Sequence, residues 1–276
     1  MTSDEPAAEE FRYSRCAACG GYQLIDVPEQ LSAYYRRAYY AEDAPRSDRE
    51  KAIDRTSVAG QLALIAPIVP GGRLIDVGAH RGNLLDEASR FGFTSRAAVE
   101  RDPGCCASMR ERGIEAVETD DPIGGLRALE PADAITICHV IEHVPDPMGL
   151  LDEAAGRLRP GGALLVATPN PKALSLRLCG RWWRHIDAPR HLHLIPYEVL
   201  RARARSRGLR VVGVTTTDPF GLRCDEVASS AWADHVARRL GGRAGIYNAA
   251  ANAAMRQVER RGMRGSSYTA VFQRPA

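Results

Sequence analysis

The chain contains 276 residues, a length that fits one large α/β domain or a smaller domain with a cap. With 45% hydrophobic and 26% charged residues, its composition is that of a globular protein, which excludes collagen-like, disordered and coiled-coil classes. The 37 basic and 34 acidic residues give a net charge of +3, too small to predict nucleic-acid binding.

The N-terminal run, the lengths of the apolar runs and the cysteines together predict where in the cell the protein is located. The N-terminal run MTSDEPAAEE is acidic where a secretory signal is basic and then apolar, and no apolar run reaches the ~18 residues of a membrane span. Seven scattered cysteines, an odd number, are not typical of a disulfide framework. We therefore expect a cytoplasmic protein with no membrane partner.

Residues 1–69 are predicted to form a tail, a short Cys16-x-x-Cys19 segment and a helical lid. Apolar residues at three-to-four spacing predict helices over 31–40 and 52–69, separated by a polar run. A closed zinc site needs four ligands, and no cysteine or histidine lies upstream of Cys16 to supply the others. We therefore predict no metal at this segment.

From residue 70 to 217, short apolar runs alternate with helical segments, the pattern of βαβ units and a parallel sheet. The predicted strands, including one at the C-terminus, are 74–77, 95–99, 115–117, 134–138, 163–168, 210–216 and 268–273. The expected fold is α/β: a Rossmann-like, doubly wound, seven-stranded and mostly parallel sheet with an N-terminal helical segment.

The C-terminal part of the chain is predicted to complete and cover this core. A segment rich in Trp, His and Arg, 172–195, follows the fifth strand and precedes a helix at 197–207. The arginine-rich stretch 218–266, with helices at 226–240 and 246–261, is expected to be an insertion before the last strand, 267–276. It could cover an acceptor pocket, form a homodimer contact, select an anionic group or be a solvated face.

The first predicted strand ends in a glycine-bounded turn, LIDVGAHRG, where a doubly wound sheet binds its ligand. Glu100, at the end of the second strand, lies 22 residues after Gly78, where a carboxylate can accept hydrogen bonds from ribose hydroxyls. A dinucleotide pyrophosphate requires glycine at the place of His80, so a nicotinamide or flavin cofactor is disfavoured.

Five blocks carry a resemblance to a known family. They are LIDVGAHRGNLL (74–85), AAVERDP (97–103), ITICHVIEHVPDP (135–147), LRPGGALLVATPNP (158–171) and DAPRHLHLIPYEVL (187–200). The chain resembles the class I S-adenosylmethionine-dependent methyltransferases, in the subgroup similar to ubiquinone-biosynthesis O-methyltransferases and natural-product methyltransferases. It departs from the family at His80, where glycine is usual. Some members of this subgroup carry a zinc ribbon before the core, and Cys16-x-x-Cys19 resembles one degenerate knuckle of it.

The resemblance implies S-adenosylmethionine as the cofactor and assigns residues to its parts. The methionine end is implied to lie at Asp76, Gly78, His80, Arg81, Gly82 and His139, the ribose at Glu100, and the adenine at Asp120 or Asp121. Simpler alternatives exist: Asp76 could cap loop amides, Glu100 could pair with Arg101, and 120–122 could be only a turn. Glu142 and His143 are expected to be structural.

Methyl transfer from a sulfonium requires mainly that the protein position the nucleophile and remove its proton. His191 and His193 are the candidate bases because alternation in an extended segment places both imidazoles on one side, and His139 is a further candidate. The alternative is that this segment only anchors the chain. His185, Asp187, His191 and His193 lack the spacing of a closed metal site, so no metal is predicted.

Aromatic and polar residues flank the predicted site and are expected to contact a small-molecule acceptor. They are Tyr39, Tyr40, Trp182, Trp183, His185 and Arg190, with packing of the lid as the alternative for the aromatic ones. The expected activity is methylation of a hydroxyl on a natural product, quinone-like compound or sugar. N- or C-methylation, a cofactor-binding protein with another reaction, and a salt-sensitive nucleic-acid or protein binding module remain alternatives.

Overall fold

The computed structural model describes residues 9–35, 48–223 and 262–276. Within these ranges the strands are β1 (Tyr13–Arg15), β2 (Tyr22–Leu24), β3 (Gly72–Val77), β4 (Phe93–Glu100), β5 (Glu115–Glu118), β6 (Ala132–Cys138), β7 (Leu158–Pro169), β8 (His193–Leu194), β9 (Arg210–Thr215) and β10 (Ser267–Gln273). The helices are α1 (Asp48–Ile65), α2 (Asn83–Ala88), α3 (Pro103–Glu111), α4 (Pro122–Ala128), α5 (Pro147–Arg157), α6 (Leu174–Cys179) and α7 (Tyr197–Ser206).

The main sheet has seven strands in the order β5-β4-β3-β6-β7-β10-β9. Strands β3 to β7 pair in parallel, and β10 pairs antiparallel with both β7 and β9. The predicted fold class is confirmed. Because β3 pairs with β4 on one side and with β6 on the other, the chain reverses direction across the sheet here, and ligands bind at such a switch point beyond the carboxyl ends.

Alternating side chains of the central strands bury both faces of the sheet. Ile75 and Val77 pack on the face covered by α4, α5 and α7, and Leu74 packs on the face covered by α1, α2 and α3. In the described ranges, no helix combines the length and apolarity that crossing a membrane requires. The two-sided burial explains why these strands are continuous apolar runs in the sequence.

Strand β7 begins five residues before its predicted start at Ala163. The run Pro160-Gly161-Gly162 resembles a turn, but Leu158 pairs with Ala132 and a register shift absorbs the irregularity. The helix predicted over 31–40 is a short 3-10 turn at Leu31–Tyr34, and residues 36–47 lie outside the described ranges. The helices predicted at 226–240 and 246–261 also lie outside them.

A second, antiparallel sheet joins the N-terminal segment to the segment before α7. Its order is β1-β2-β8, so residues 13–24 lie against His193 and Leu194. The Tyr13 hydroxyl donates to the His191 carbonyl at 2.6 Å, and the Leu24 amide donates to the Leu192 carbonyl at 2.9 Å. The N-terminal hairpin therefore holds the histidine-containing segment in place.

Candidate active site

The turn after β3 is built from backbone that takes positive φ. Gly78 has φ of 72° and Gly82 has φ of 76°. A Cβ placed on Gly78 would lie 2.2 Å from Val140 Cγ2, so position 78 has no room for a side chain. The turn is thereby packed directly against the segment that follows β6.

His80 takes a φ of 49°, the left-handed conformation that glycine adopts without strain. This position is where the sequence departs from the usual glycine. The turn keeps a tight shape because the His80 amide donates to Glu100 Oε2 at 2.7 Å. The strained histidine is therefore held by the neighbouring strand.

The Glu100 carboxylate fastens the ends of β3 and β4 together. It is 5% exposed, and its Oε1 accepts the amides of Arg101 and Asp102 at 2.8 and 2.9 Å. An ion pair of this carboxylate with the Arg101 guanidinium was the alternative, whereas Arg101 Nε pairs instead with Asp120 at 3.2 Å. With three backbone donors, the carboxylate retains acceptor capacity on Oε2.

Asp76 is buried within β3 and accepts a hydrogen bond from Thr136 Oγ1 at 2.6 Å. Burial, opposed by the hydrogen bond from Thr136 and aided by the nearby Glu100 charge, raises the pKa of Asp76 to about 7. Asp76 therefore contacts β6, and its hydrogen-bond partner among the described residues is Thr136 rather than a loop amide. A carboxyl at this place changes its charge near neutral pH.

The remaining residues implied for the cofactor lie at the rim of the same edge. The Asp120 side chain is 82% exposed, and Asp121 caps α4 by accepting from the Ile123 amide at 3.1 Å. The Arg81 carbonyl accepts from Arg112 at 2.5 Å, which connects the turn to α3. Asp121 thus caps a helix, whereas the resemblance implies that Asp120 or Asp121 contacts the adenine.

Positive φ outside glycine is concentrated at this end of the molecule. In the described part of the chain, the non-glycine residues with positive φ are His80, His139 and Asp187, at 49°, 55° and 40°. Such backbone costs on the order of 1–3 kcal/mol per residue and persists where the surroundings impose it. All three lie at the turn after β3, the end of β6 or the segment before β8.

His139 directly follows β6, next to the glycine turn of β3. Its amide donates to the Ala167 carbonyl at 2.8 Å, its Nδ1 lies 3.2 Å from Glu142 Oε1, and its Nε2 lies 3.3 Å from Ser267 Oγ. The ring is close to Phe220, with centroids 4.7 Å apart, and the side chain is 17% exposed. His139 is thus placed at the switch point with a buried carboxylate beside it.

Glu142 is fully buried and lies among three histidines. Its Oε2 accepts from Thr168 Oγ1 at 2.9 Å. Burial alone would raise the pKa of Glu142, but the contact with His139 and the charges of His139, His143 and His191 lower it to about 2. This carboxyl is therefore ionised inside the protein.

His143 and His191 face each other across Glu142, with ring centroids 4.6 Å apart. His191 Nδ1 lies 2.8 Å from the His185 carbonyl, and His143 Nδ1 lies 3.0 Å from the Arg190 carbonyl. Burial lowers the pKa of both histidines, that of His191 to about 4, with the charge of His143 adding to the effect at His191. Both rings are neutral at pH 7.

His193 has different surroundings from His191. Its ring lies against the Pro145 and Val144 carbonyls, and burial lowers its pKa. His185 contacts the Trp183 ring, with centroids 5.2 Å apart, and Arg190 forms an ion pair with Asp187 at 2.5 Å. The structure thus brings His139 and His191 to Glu142, and places His193 elsewhere.

The two tryptophans predicted to contact the acceptor differ sharply. Trp183 is 1% exposed, and its indole donates to Ser175 Oγ at 3.0 Å within a core with Cys179 and Leu194. Trp183 therefore packs the interior and does not form a lid. Trp182 is 48% exposed, with the Arg181 guanidinium 4.9 Å from its ring. Tyr39 and Tyr40 lie outside the described residues.

Sequence reasoning assigned Glu142 and His143 to structure and missed the part that Tyr35 plays. The Tyr35 hydroxyl lies 3.1 Å from His143 Nδ1, and the Arg101 guanidinium lies 4.6 Å from the Tyr35 ring. The sequence did contain one signal: the run His139-x-x-Glu142-His143 places two histidines close to one carboxylate just after a predicted strand. The contact of Tyr35 with His143 has no such signal, because the two residues are far apart in sequence.

The Cys16-x-x-Cys19 segment forms the turn between β1 and β2. The amides of Cys19 and Ala18 donate to the Cys16 sulfur and lower its pKa, and the Cys16 side chain is exposed. Among residues 9–35, 48–223 and 262–276, neither cysteine belongs to a group of three metal-ligating side chains.

Comparisons with known proteins match most of the core to methyltransferases. Residues 46–214, more than half of the chain, match a family model described as a methyltransferase domain. The chain is 34% identical over 131 residues to the ubiquinone biosynthesis O-methyltransferase of Xanthomonas campestris, covering 45% of this chain and 52% of that protein. It is 32% identical over 173 residues to the protein of the same name in Xylella fastidiosa, covering 59% and 70%.

The chain thus spans about half the length of the first of these curated relatives. Solved structures agree in fold. An S-adenosylmethionine-dependent methyltransferase from Archaeoglobus fulgidus matches with a TM-score of 0.53 at 19% identity, covering 79% of this chain and 94% of that one. One from Mesorhizobium loti matches with a TM-score of 0.53 at 16% identity, covering 80% and 100%. At such identities the likeness concerns the fold alone.

Proposed function

Because the chain belongs to the class I S-adenosylmethionine-dependent methyltransferases, we propose that it methylates a hydroxyl of a small-molecule acceptor. Its cofactor is S-adenosylmethionine, which supplies a methyl group on a sulfonium that is already activated for displacement. The protein's task is to align the acceptor oxygen and to remove its proton. Relatives named ubiquinone biosynthesis O-methyltransferases favour a quinone-like acceptor, with other natural products and sugars in the same chemical class.

The residues at the switch point fit this cofactor. The turn at Gly78 excludes any side chain, so only backbone faces a ligand there, and the buried Glu100 carboxylate keeps acceptor capacity on Oε2 for ribose hydroxyls. We assign the methionine end to the turn 78–82 and the adenine to the rim at Asp120 and Asp121. Asp76 supports the turn from inside the sheet.

The observation that carries the proposed mechanism is the placement of His139 beside Glu142. His139 directly follows β6 at the switch point, and its Nδ1 lies 3.2 Å from a buried, ionised carboxylate. A carboxylate on that side stabilises the imidazolium that forms when Nε2 takes a proton. We therefore assign the base to His139.

His191 and His193 suit this role less well. The His191 ring is 6% exposed, and its Nε2 faces Glu142 Oε1 at 4.0 Å and Asp187 Oδ2 at 3.7 Å. His193 lies against backbone carbonyls of residues 144 and 145. We propose that these two histidines position the segment before α7, while Arg190 and His185 border the acceptor.

The test combines cofactor binding with product analysis. Calorimetric titration with S-adenosylmethionine and S-adenosylhomocysteine, with NAD as control, is expected to show micromolar binding of the first two, near 8 kcal/mol. Methyl-labelled cofactor is then supplied with a panel of catechols, hydroxylated quinols and sugars. Label is expected on oxygen. Label on nitrogen or carbon, or cofactor binding without methyl transfer across the panel, would overturn the O-methyltransferase assignment.

The base is tested by matched variants. His139→Ala is expected to lower turnover by about 100-fold or more, with cofactor affinity changed far less. His193→Ala is the matched control, because its ring lies apart from Glu142. An unchanged pH profile and turnover in His139→Ala would assign the base to another residue.

A further inference from the structure

The turn between β1 and β2 contains two cysteines that the proposed methyl transfer does not use. Cys16 is exposed and Cys19 is partly buried, and both are free thiols. Cysteines separated by two residues can exchange between a dithiol and a disulfide when the chain holds their sulfurs together. We propose that Cys16 and Cys19 are a redox-active pair, which low-molecular-weight disulfides oxidise to an intramolecular disulfide.

The backbone of the turn brings the two cysteines together. The Gly20 amide donates to the Cys16 carbonyl at 2.8 Å, and the Cys16 amide donates to the Gly21 carbonyl at 2.9 Å. The first of these bonds closes a single turn of helical type, in which residues three apart have Cα atoms about 5 Å apart. A disulfide spans Cα atoms about 4.4–6.8 Å apart, so the pair can be bridged without refolding the turn.

The hydrogen bonds at Cys16 favour its thiolate. The Cys19 amide, the Ala18 amide and the Cys19 thiol all donate to the Cys16 sulfur, and they lower the pKa of Cys16 against a small opposing effect of burial. The thiolate is the form that attacks a disulfide, and an exposed sulfur can be reached from solution. Cys16 is therefore the attacking residue.

Cys19 is placed to complete the reaction. Its thiol contacts the Cys16 sulfur, and its own sulfur accepts the Gly21 amide at 3.4 Å. A second thiol held beside the first attacks a mixed disulfide at a high effective concentration. Cys19 therefore resolves the intermediate that forms on Cys16.

The reaction balances as two exchanges. The Cys16 thiolate attacks one sulfur of the small disulfide, whose S–S bond breaks, and one small thiolate leaves as a mixed disulfide forms on Cys16. Cys19 then gives its proton to solvent and attacks the Cys16 sulfur, which expels the second small thiolate. Two protein thiols are oxidised to one disulfide, and one small disulfide is reduced to two thiols.

The turn is held in place by the segment before α7. A Cβ on Gly21 would lie 2.9 Å from Pro196 Cδ and 3.0 Å from the Leu194 carbonyl oxygen, so the turn packs directly against β8 and the start of α7. The Leu24 amide anchors the other end of β2 to the Leu192 carbonyl. A turn fixed in this way keeps both sulfurs together, which favours the intramolecular disulfide over a lasting mixed disulfide.

The adjacent cysteines of α3 have the opposite surroundings. Burial and a hydrogen bond to Asp102 raise the pKa of Cys105 to about 12, and burial with the charge of Glu100 raises that of Cys106. Both remain protonated at neutral pH and react slowly with disulfides. Cys105 is therefore a matched control for Cys16.

The experiment equilibrates the reduced full-length protein with mixtures of oxidised and reduced glutathione, in the parent and in a Cys224→Ser background, since Cys224 lies outside the described residues. We expect loss of two thiols per chain and a mass lower by two hydrogens, with the disulfide mapped by proteolysis and mass spectrometry to Cys16 and Cys19. Cys19→Ser is expected to accumulate a glutathione mixed disulfide on Cys16. Cys16→Ser is expected to react at least about 10-fold more slowly.

Controls and contrary outcomes are defined for the same samples. Cys105→Ser is expected to match the parent in rate and extent of oxidation. Circular dichroism confirms that each variant is folded, and Cys16→Ala replaces Cys16→Ser if that variant fails. A lasting mixed disulfide in the parent, no oxidation in excess oxidised glutathione, or Zn²⁺ held between two chains by both cysteines would overturn the proposal. S-adenosylhomocysteine affinity, measured in parallel, reports on the proposed activity separately.

Discussion

The cofactor side and the histidine side of the site are held together differently. The cofactor side is built mainly from backbone: Gly78, His80 and Gly82 have positive φ, and the His80 amide donates to Glu100, 20 residues away. At the histidine side, buried side chains converge from distant segments, as when Tyr35 meets His143 across 108 residues. A site made by local backbone is visible in a sequence, whereas one made by side chains from distant segments depends on the whole fold.

The largest effect is expected from a substitution that disrupts only the cofactor side. Gly78→Ala would place a Cβ 2.2 Å from Val140 Cγ2 at a φ of 72°, so the turn must move. We expect loss of S-adenosylhomocysteine affinity by more than about 100-fold and destabilisation of several kcal/mol. Calorimetry and thermal unfolding measure the two effects.

Gly113→Ala is the matched control, because Gly113 has the same φ of 72° and nothing lies within 4 Å of its Cβ position. It is expected to cost about 1 kcal/mol of stability, from backbone conformation alone, with cofactor affinity retained. Equal losses of affinity in the two variants would show that packing of the turn against Val140 is unimportant.

A smaller effect is expected from Glu100→Ala. The change removes a carboxylate that accepts three backbone amides and leaves those donors partly buried. We expect cofactor affinity to fall about 10- to 100-fold, or about 1.5–3 kcal/mol. Asp120→Ala, at an 82% exposed side chain, is the comparison and is expected to change affinity less. If Asp120→Ala proved the more damaging, the ribose assignment to Glu100 would be wrong.

The third prediction concerns pH at the buried end of the cofactor side. The folded-state pKa of Asp76 is raised from 3.8 to about 7, so between these values the folded protein holds a proton that the unfolded chain has lost. Stability therefore falls as pH rises through this window. Asp76→Asn keeps an acceptor for Thr136 but carries no titrating group. Without cofactor, its free energy of unfolding relative to that of the parent is expected to rise by about 1–3 kcal/mol between pH 5 and pH 8. A difference in unfolding free energy that does not change with pH would contradict the raised pKa of Asp76.

The sequence predicted the elements whose signals are local. All seven strands of the main sheet, the glycine turn and Glu100 follow from apolar runs and spacing, because parallel strands with two buried faces are continuous apolar segments. The sheet β1-β2-β8 was not predicted, because its three short strands have no periodicity and pair across about 170 residues. The same distance conceals the contact between Glu142 and His191. For Trp183 the sequence leaves acceptor contact and packing open, because composition does not distinguish a buried indole from an exposed one.

The smallest expected effect probes the histidine side through its most distant support. Tyr13→Phe removes the hydroxyl that donates to the His191 carbonyl at 2.6 Å, a neutral hydrogen bond that contributes about 1 kcal/mol. We expect a slightly lower unfolding temperature and a raised KM for the acceptor, with cofactor affinity unchanged, because only the segment before α7 is loosened. Tyr34→Phe removes a hydroxyl that pairs with Glu9 at the surface, and is expected to change neither quantity. If Tyr13→Phe weakened cofactor binding as much as acceptor binding, the two sides would be mechanically continuous, and the separation between backbone-built and side-chain-built halves would fail.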